Sequence, residues 1–261
     1  MYINFWYPII RSEDLAGDVP ERVKVLGCNL VAFRDQEGKA RVLSDTCTHR
    51  GASLGGAWSN VGKPRIVNGC VVCPYHGWEF GGDGECKNIP SIGYGTKVPP
   101  RAKVDSYPVQ EKYGIVFAFL GDAPEDKRPP LLNIEEYGQP GWRANSVLVL
   151  DVAYYYERSI ENGLDPAHNE FVHPTHGFSG NRPDYRVRHE AWRWVEDEWS
   201  TGFFSRNIAP PLPEKRMREA SGREGNAIID AGTGHHGISM LWTYIHPTPE
   251  MKIHQYLFET P

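Results

Sequence analysis

The chain has 261 residues, 40% of them hydrophobic, which is enough to bury a sizeable core in one large domain or two modest ones. Its 28 Lys and Arg against 33 Asp and Glu give a net charge of −5 without any basic run, so nucleic-acid binding has no electrostatic support. The longest apolar run, Ile115 to Leu120, falls far short of the roughly 20 residues that cross a bilayer. The Met1-Tyr2-Ile3-Asn4 start lacks the basic region of a signal peptide, and Arg11, Glu13 and Asp14 soon break its apolar stretch. Five cysteines, at 28, 47, 70, 73 and 86, argue against a disulfide framework and for a reducing, cytoplasmic compartment.

Residues 1–121 read as short strands separated by turn clusters, the pattern of an all-β domain. Val23 to Phe33 and Ala40 to Leu43 flank Asp35-Gln36-Glu37-Gly38, a predicted hairpin. Next come Cys47-Thr48-His49 and Cys73-Pro74-Tyr75-His76, the second running on into Gly77-Trp78. Two Cys and two His could hold one zinc ion or a [2Fe–2S] cluster. Zinc fingers pair Cys with Cys and His with His, whereas here each loop gives one of each, which favours a mixed-ligand cluster over zinc.

The gap between the loops, residues 50 to 72, is 23 residues, and residues 59–64 within it read as a turn-rich insertion. Lengthening a surface loop adds only slowly to its closure entropy. Cys70 beside Cys73 also makes a metal-like pair, but Cys70-Val71-Val72 is an apolar run and Cys70 reads as a buried strand residue. Gly81-Gly82-Asp83-Gly84 lacks the Gly-Lys-Ser/Thr that ends a phosphate-binding loop and reads as a turn. Tyr113 to Leu120 is the last predicted strand of this domain.

Residues 122–141 carry Pro124, Pro129, Pro130 and Pro140 and read as a linker into a second domain over 142–261. Ala144 to Tyr156 is predicted as a long strand entering the segment Glu161 to His173. Asp165 is placed as a helix N-cap with Pro166 at the first helical position. His168 and His173 are five apart, and on a regular α-helix they diverge by about 140°. They can share a metal only where the helix is interrupted or bulged between them. Taken alone, such a histidine pair is more often structural.

Val187 to Val195, Gly237 to Ile245 and Lys252 to Phe258 follow as strands, so helices on an antiparallel sheet make this an α+β domain. Trp192, Trp194, Phe203, Phe204, Trp242 and Tyr244 could line an apolar pocket, although sheet core is the better reading for most. His235-His236 points to opposite strand faces and cannot readily hold one ion. His176 reads as a supporting residue.

Asp-x-x-His-x-x-x-x-His downstream of Cys-x-His and Cys-x-x-His resembles the α (oxygenase) subunits of the Rieske non-haem iron oxygenases. The likeness extends from Phe5-Trp6-Tyr7-Pro8 past His173, and lies closest to the monooxygenase, demethylase and pheophorbide-oxygenase-like branch. It implies that Cys47, His49, Cys73 and His76 hold a [2Fe–2S] cluster and that His168 and His173 hold a mononuclear Fe(II). It also implies that Asp165 bridges a cluster histidine to a ligand histidine across a subunit boundary, in a homotrimer. Asn162 stands where demethylating members also carry asparagine. The 23-residue gap is longer than the family's usual one.

The implied fold is an all-β Rieske domain followed by a helix-grip catalytic domain. The implied activity is O₂-dependent hydroxylation or oxidative demethylation of an apolar aromatic or polycyclic molecule. Electrons would come ultimately from NAD(P)H through a reductase or ferredoxin.

A two-His-plus-carboxylate iron site needs a third ligand, which the family takes from a late helix. None of the acidic residues after His173 lies in a convincing late helix, and the chain stops directly after an apolar strand. The expectation is therefore a C-terminally truncated catalytic domain whose third ligand lies beyond residue 261, with Asp230 the best substitute within the chain. A plain Rieske electron carrier and a catalytically incomplete chain stay open beside the oxygenase.

Overall fold

A computed structural model of the chain describes residues 3–15, 17–57, 62–173, 186–211, 215–221, 225–246 and 250–261. His176 and the insertion residues 59–61 lie outside the described residues. Two compact units are present, Met1–Val152 with Thr260–Pro261, and Ala153–Glu259.

The first unit is all β. Its strands are β1 (Phe5–Arg11), β2 (Glu21–Val25), β3 (Cys28–Arg34), β4 (Ala40–Ser44), β5 (Arg65–Val67), β6 (Cys70–Val72), β7 (Glu79–Phe80), β8 (Cys86–Asn88), β9 (Ser106–Tyr107), β10 (Val109–Lys112) and β11 (Ile115–Leu120). They form three antiparallel sheets ordered β1-β11-β10, β2-β3-β4-β9 and β5-β6-β7-β8. β11 is apolar at every position and buried along its whole length, as a central strand covered on both faces must be.

Two expectations shift here. Val23 to Phe33 is two strands rather than one, because Leu26 and Gly27 both take positive φ (53° and 76°) and turn the chain into a hairpin. Tyr113 likewise has φ 58° and sits with Gly114 in the turn before β11. The predicted hairpin at residues 35–38 is present between β3 and β4.

The proline-rich stretch after β11, read from sequence as a linker, is part of the first unit, as are residues 142–152. Trp6 Nε1 donates to the Pro129 carbonyl at 2.8 Å, and the Arg128 guanidinium lies 5.1 Å over the Phe119 ring. The Tyr113 hydroxyl accepts from Ile134 N–H and donates to the Leu132 carbonyl, both at 2.9 Å. Residues 144–153 are irregular, so the strand predicted from Ala144 to Tyr156 is absent. Apolar side chains are there, but no strand among the described residues pairs with this segment, and Leu148 and Leu150 are 77% and 72% exposed.

The second unit holds α1 (Tyr156–Leu164), α2 (Asn169–Val172), β12 (Arg188–Glu196), β13 (Ser200–Ala209), α3 (Lys215–Ser221), β14 (Ala227–His236), β15 (Met240–His246) and β16 (Ile253–Phe258). The strands make one antiparallel meander in chain order. Strands β13 and β14 have no counterpart in the sequence reading. β14 contains Gly232 and Gly234, which read as strand breakers. Here they make room for rings: a Cβ on Gly232 would lie 2.6 Å from Phe204 Cε1, and one on Gly234 2.4 Å from Trp242 Cζ2.

The aromatic residues divide accordingly. Phe204, Trp242 and Tyr244 form one contiguous row, with Trp242 buried and ring centroids 4.9–6.2 Å apart. Trp192 and Trp194 are 54% and 75% exposed, so they are not sheet core. They sit on the edge strand, and a bulge between Ala191 and Arg193 displaces Trp192 from the regular alternation.

Candidate metal centres

The two Cys/His loops are built alike. Cys47 N–H donates to the Ala52 carbonyl at 2.8 Å and Gly51 N–H to the Cys47 carbonyl at 2.9 Å. Cys73 N–H donates to the Trp78 carbonyl at 2.8 Å and Gly77 N–H to the Cys73 carbonyl at 2.9 Å. Gly51 and Gly77 take φ 71° and 74°, a region that side chains disfavour, so each loop needs glycine four residues after its cysteine. The amides of His49 and Arg50 point at Cys47 Sγ, and those of Tyr75 and His76 at Cys73 Sγ. Four N–H groups thus converge on two buried sulfurs. Such donors favour thiolate over thiol.

The two thiols share a hydrogen bond, which lowers Cys73 to about 6 and raises Cys47 as the partner that keeps the proton. The His49 and His76 ring centroids are 4.5 Å apart. Burial, then His76, then Arg50 hold His49 below the ordinary imidazole value. His49 Nδ1 is buried with no hydrogen-bond partner. An orphaned buried nitrogen costs about 1–3 kcal/mol, and a metal ion would satisfy it. Two cysteine sulfurs and two imidazoles on facing loops fit a mixed-ligand [2Fe–2S] cluster.

Asp45, which the sequence reading passed over, braces the first loop. Its buried carboxylate accepts from Arg22 Nε at 2.9 Å, Ser53 Oγ at 2.6 Å and Gly55 N–H at 2.7 Å. The only sequence signal is an acidic residue directly after an apolar strand. Cys70 lies in β6 as expected but is half-buried. Cys86 is buried and bonds the Asn88 carbonyl at 3.3 Å.

In the second unit, α1 reaches the sheet through Gly163, whose carbonyl accepts from Thr233 Oγ1 at 2.6 Å. Asn162 lies on α1, which ends at Asp165 (φ −103°, ψ 99°). The Asp165 carboxylate accepts from Ala167 N–H at 2.9 Å, and Pro166 opens a 3-10 turn through His168, as the N-cap expectation required. That turn passes into α2, and His173 leaves the helix at φ −115°, ψ 73°. His168 thus ends a 3-10 turn and His173 lies past the end of α2, off the regular helical path, and the two imidazoles come together with centroids 5.3 Å apart. His168 Nδ1 donates to the Asp165 carbonyl, which leaves Nε2 as the nitrogen for a metal.

Glu170 was also missed. Its buried carboxylate takes Val187 N–H at 3.0 Å and Arg186 Nη1 at 3.1 Å, tying the approach to β12 onto α2.

Asp230 does not join the histidines. Arg206 holds it through two hydrogen bonds, at 2.8 and 3.0 Å, and keeps its carboxyl below the usual range. It also alternates with Thr233 along an unbulged strand, so it faces away from α1. Among the described residues no three His, Cys, Asp or Glu side chains converge as a single-ion site requires. His235 Nδ1 meets the Gly237 carbonyl at 2.9 Å and His236 Nδ1 the Ser200 hydroxyl at 2.8 Å, so the adjacent pair has separate partners.

Residues 5–108 match the Rieske [2Fe-2S] domain family. The chain is 36% identical over 172 residues to chlorophyllide a oxygenase, chloroplastic, of Chlamydomonas reinhardtii, covering 65% of this chain and 24% of that protein. It is 33% identical over 253 residues to the phenoxybenzoate dioxygenase subunit alpha of Ectopseudomonas oleovorans, covering 86% and 59%. Its fold is similar to the crystal structure of dicamba monooxygenase bound to 3,6 dichlorosalicylic acid, with TM-score 0.70 and 23% identity over 97% of this chain and 71% of that one.

Residues 5–108 of the first unit are thus a Rieske [2Fe-2S] domain, and the chain's relatives are Rieske oxygenases. The chain spans between about a quarter and three-fifths of the length of these curated relatives. Among the described residues no helix is long and apolar enough to cross a membrane.

Proposed function

We propose that the chain is the oxygenase component of a Rieske non-haem iron monooxygenase. In this reading Cys47, His49, Cys73 and His76 hold a [2Fe–2S] cluster, and His168 and His173 provide two ligands to a mononuclear Fe(II). The cluster supplies one electron at a time, and the Fe(II) supplies O₂ activation. The observation that carries the reading is the meeting of His168, at the end of a 3-10 turn, with His173, just past the end of α2, at 5.3 Å, in a chain that also holds the paired Cys/His loops.

Asp165 orients His168 from the cap of its turn. Its backbone carbonyl holds His168, and its carboxylate would carry the link onward to a cluster histidine of a neighbouring subunit, in a homotrimer. The donor to the cluster is a reductase or ferredoxin drawing on NAD(P)H. The substrate is an apolar aromatic or polycyclic molecule, hydroxylated or oxidatively demethylated. Relatives whose names cite a chlorophyllide, a phenoxybenzoate and dicamba support that class. A reducing compartment such as the cytoplasm suits the five free cysteines.

Iron and acid-labile sulfide analysis tests the reading. Three irons and two sulfides per chain are expected once Fe(II) is added, the third iron held weakly by His168 and His173 and lost in a His168→Ala variant. Two irons and two sulfides with Fe(II) added would identify an electron carrier instead.

A further inference from the structure

We propose that Trp78 is a positioning residue that holds down the reduction potential of the Cys47/His49/Cys73/His76 centre by covering His49; this rests on the ligand reading above. The Trp78 indole lies within 4° of parallel to the His49 ring, with centroids 4.6 Å apart. The contact joins the two loops, since His49 belongs to the first and Trp78 closes the second by accepting Cys73 N–H. The indole is itself fixed, packing against the buried cluster around Phe80. His76 has a different neighbour: Tyr75 is 44% exposed, and its ring is tilted by 39°. One imidazole is therefore half-buried with one face covered by a fixed ring, and the other is exposed.

Charge arithmetic gives the direction. Two thiolates and two neutral imidazoles around an oxidised [2Fe–2S]²⁺ core sum to zero, and one added electron makes the centre −1. An aromatic face is the negative side of a ring quadrupole and disfavours nearby negative charge. The indole also excludes water, and an apolar surround penalises the charged state. Both effects oppose reduction, so removing the indole raises the potential. The same stack turns the orphaned His49 Nδ1 inward and fixes the ring's plane.

The test is a dithionite titration of the full, cluster-loaded chain with redox mediators, followed by EPR, with ¹⁴N couplings measured on the reduced state. Trp78→Leu keeps apolar volume without a π-face and should shift the midpoint to more positive potential and alter one histidine's ¹⁴N coupling. Trp78→Phe should stay near wild type. Pentafluorophenylalanine introduced at position 78 keeps the ring shape but reverses its quadrupole, and should shift the midpoint positively relative to Trp78→Phe. That pair decides the matter if Trp78→Leu fails to hold a cluster. Equal midpoints for Phe and its fluorinated analogue, with intact clusters, would overturn the role of Trp78 and leave the ligand reading standing. A wild-type chain without a mixed-ligand EPR signal would overturn both.

Discussion

Gly163 of α1 meets Leu241 of β15 so closely that a Cβ on the glycine would lie 2.1 Å from Leu241 Cδ2. This contact and the Thr233 hydroxyl on the Gly163 carbonyl set the depth at which α1 rests on the sheet. The Asp165 turn and both candidate iron histidines follow directly from the end of that helix.

Gly163→Ala is therefore expected to destabilise the protein, even though alanine favours helix by up to about 1 kcal/mol. Overpacking of this kind costs about 1–3 kcal/mol. In a Leu241→Ala background the methyl has space, and the penalty should shrink or change sign. Thermal melts of the four proteins in this cycle give the coupling directly. Additive effects would show that the close contact does not govern stability.

Cys47→Ser and Cys73→Ser should each abolish the low-average-g EPR signal expected of the reduced cluster, because a hydroxyl is a poor substitute for thiolate on iron. Cys70→Ser and Cys86→Ser should keep it, since neither lies in the paired loops. Loss of the signal with Cys70 but not with Cys47 would reverse the assignment.

Asp45→Ala removes an acceptor from three donors, Arg22, Ser53 and Gly55, that converge on one buried carboxylate. Half-exposed Arg22 can turn to water, but Ser53 and Gly55 lose an acceptor at about 1–3 kcal/mol for each donor that water does not reach, and they hold the loop that presents Cys47 and His49. The expected result is a lower melting temperature and faster bleaching of the visible cluster bands. Wild-type bleaching in a variant that still folds would show that the loop does not need this brace.

The cluster loops were legible because a mixed-ligand centre needs Cys and His at short local spacings, which chain order displays. The departure from a regular helix was legible for a related reason: a five-residue histidine spacing cannot converge on a straight α-helix, and here His168 ends a 3-10 turn while His173 lies past the last residue of α2. Strands β13 and β14 were not. Gly202, Gly232 and Gly234 look like breakers until Phe204 and Trp242 lie across them, which is a tertiary fact. Ala144 to Tyr156 failed the other way, since an apolar run suggests a strand but its local sequence does not supply a pairing partner. The parity that turns Asp230 away from α1 needs the register of β14, which local sequence does not display.

Acid should weaken the link between β3 and β10. Arg34 donates to Glu111 at 2.8 and 3.1 Å, and that bond first of all lowers the Glu111 pKa. A carboxylate depressed in the folded state stabilises it above the ordinary carboxylate range and loses that contribution as pH falls through the folded pKa. The pair is partly exposed, so the contribution is about 1 kcal/mol or less. Glu111→Gln should be less stable than wild type at pH 7, with the two curves converging toward pH 3. Parallel stability curves across that range would remove Glu111 from the acid response.

The last prediction separates two roles of Asp165. Its carboxylate caps the turn that carries His168, by accepting from Ala167 N–H, and is proposed to bridge to a cluster histidine. Asn retains a side-chain oxygen that can cap but loses the charge that orients an imidazolium or a ligating ring. Asp165→Asn should therefore hold its cluster and iron and melt near wild type, while cluster reoxidation by O₂ with substrate present slows by at least 10-fold. Asp165→Ala should lose the cap as well, at about 1 kcal/mol, and bind iron less tightly. Rapid-mixing spectrophotometry of the pre-reduced cluster reads the first effect, and iron titration with thermal melts reads the second. Fast reoxidation in Asp165→Asn would leave Asp165 a helix cap and nothing more.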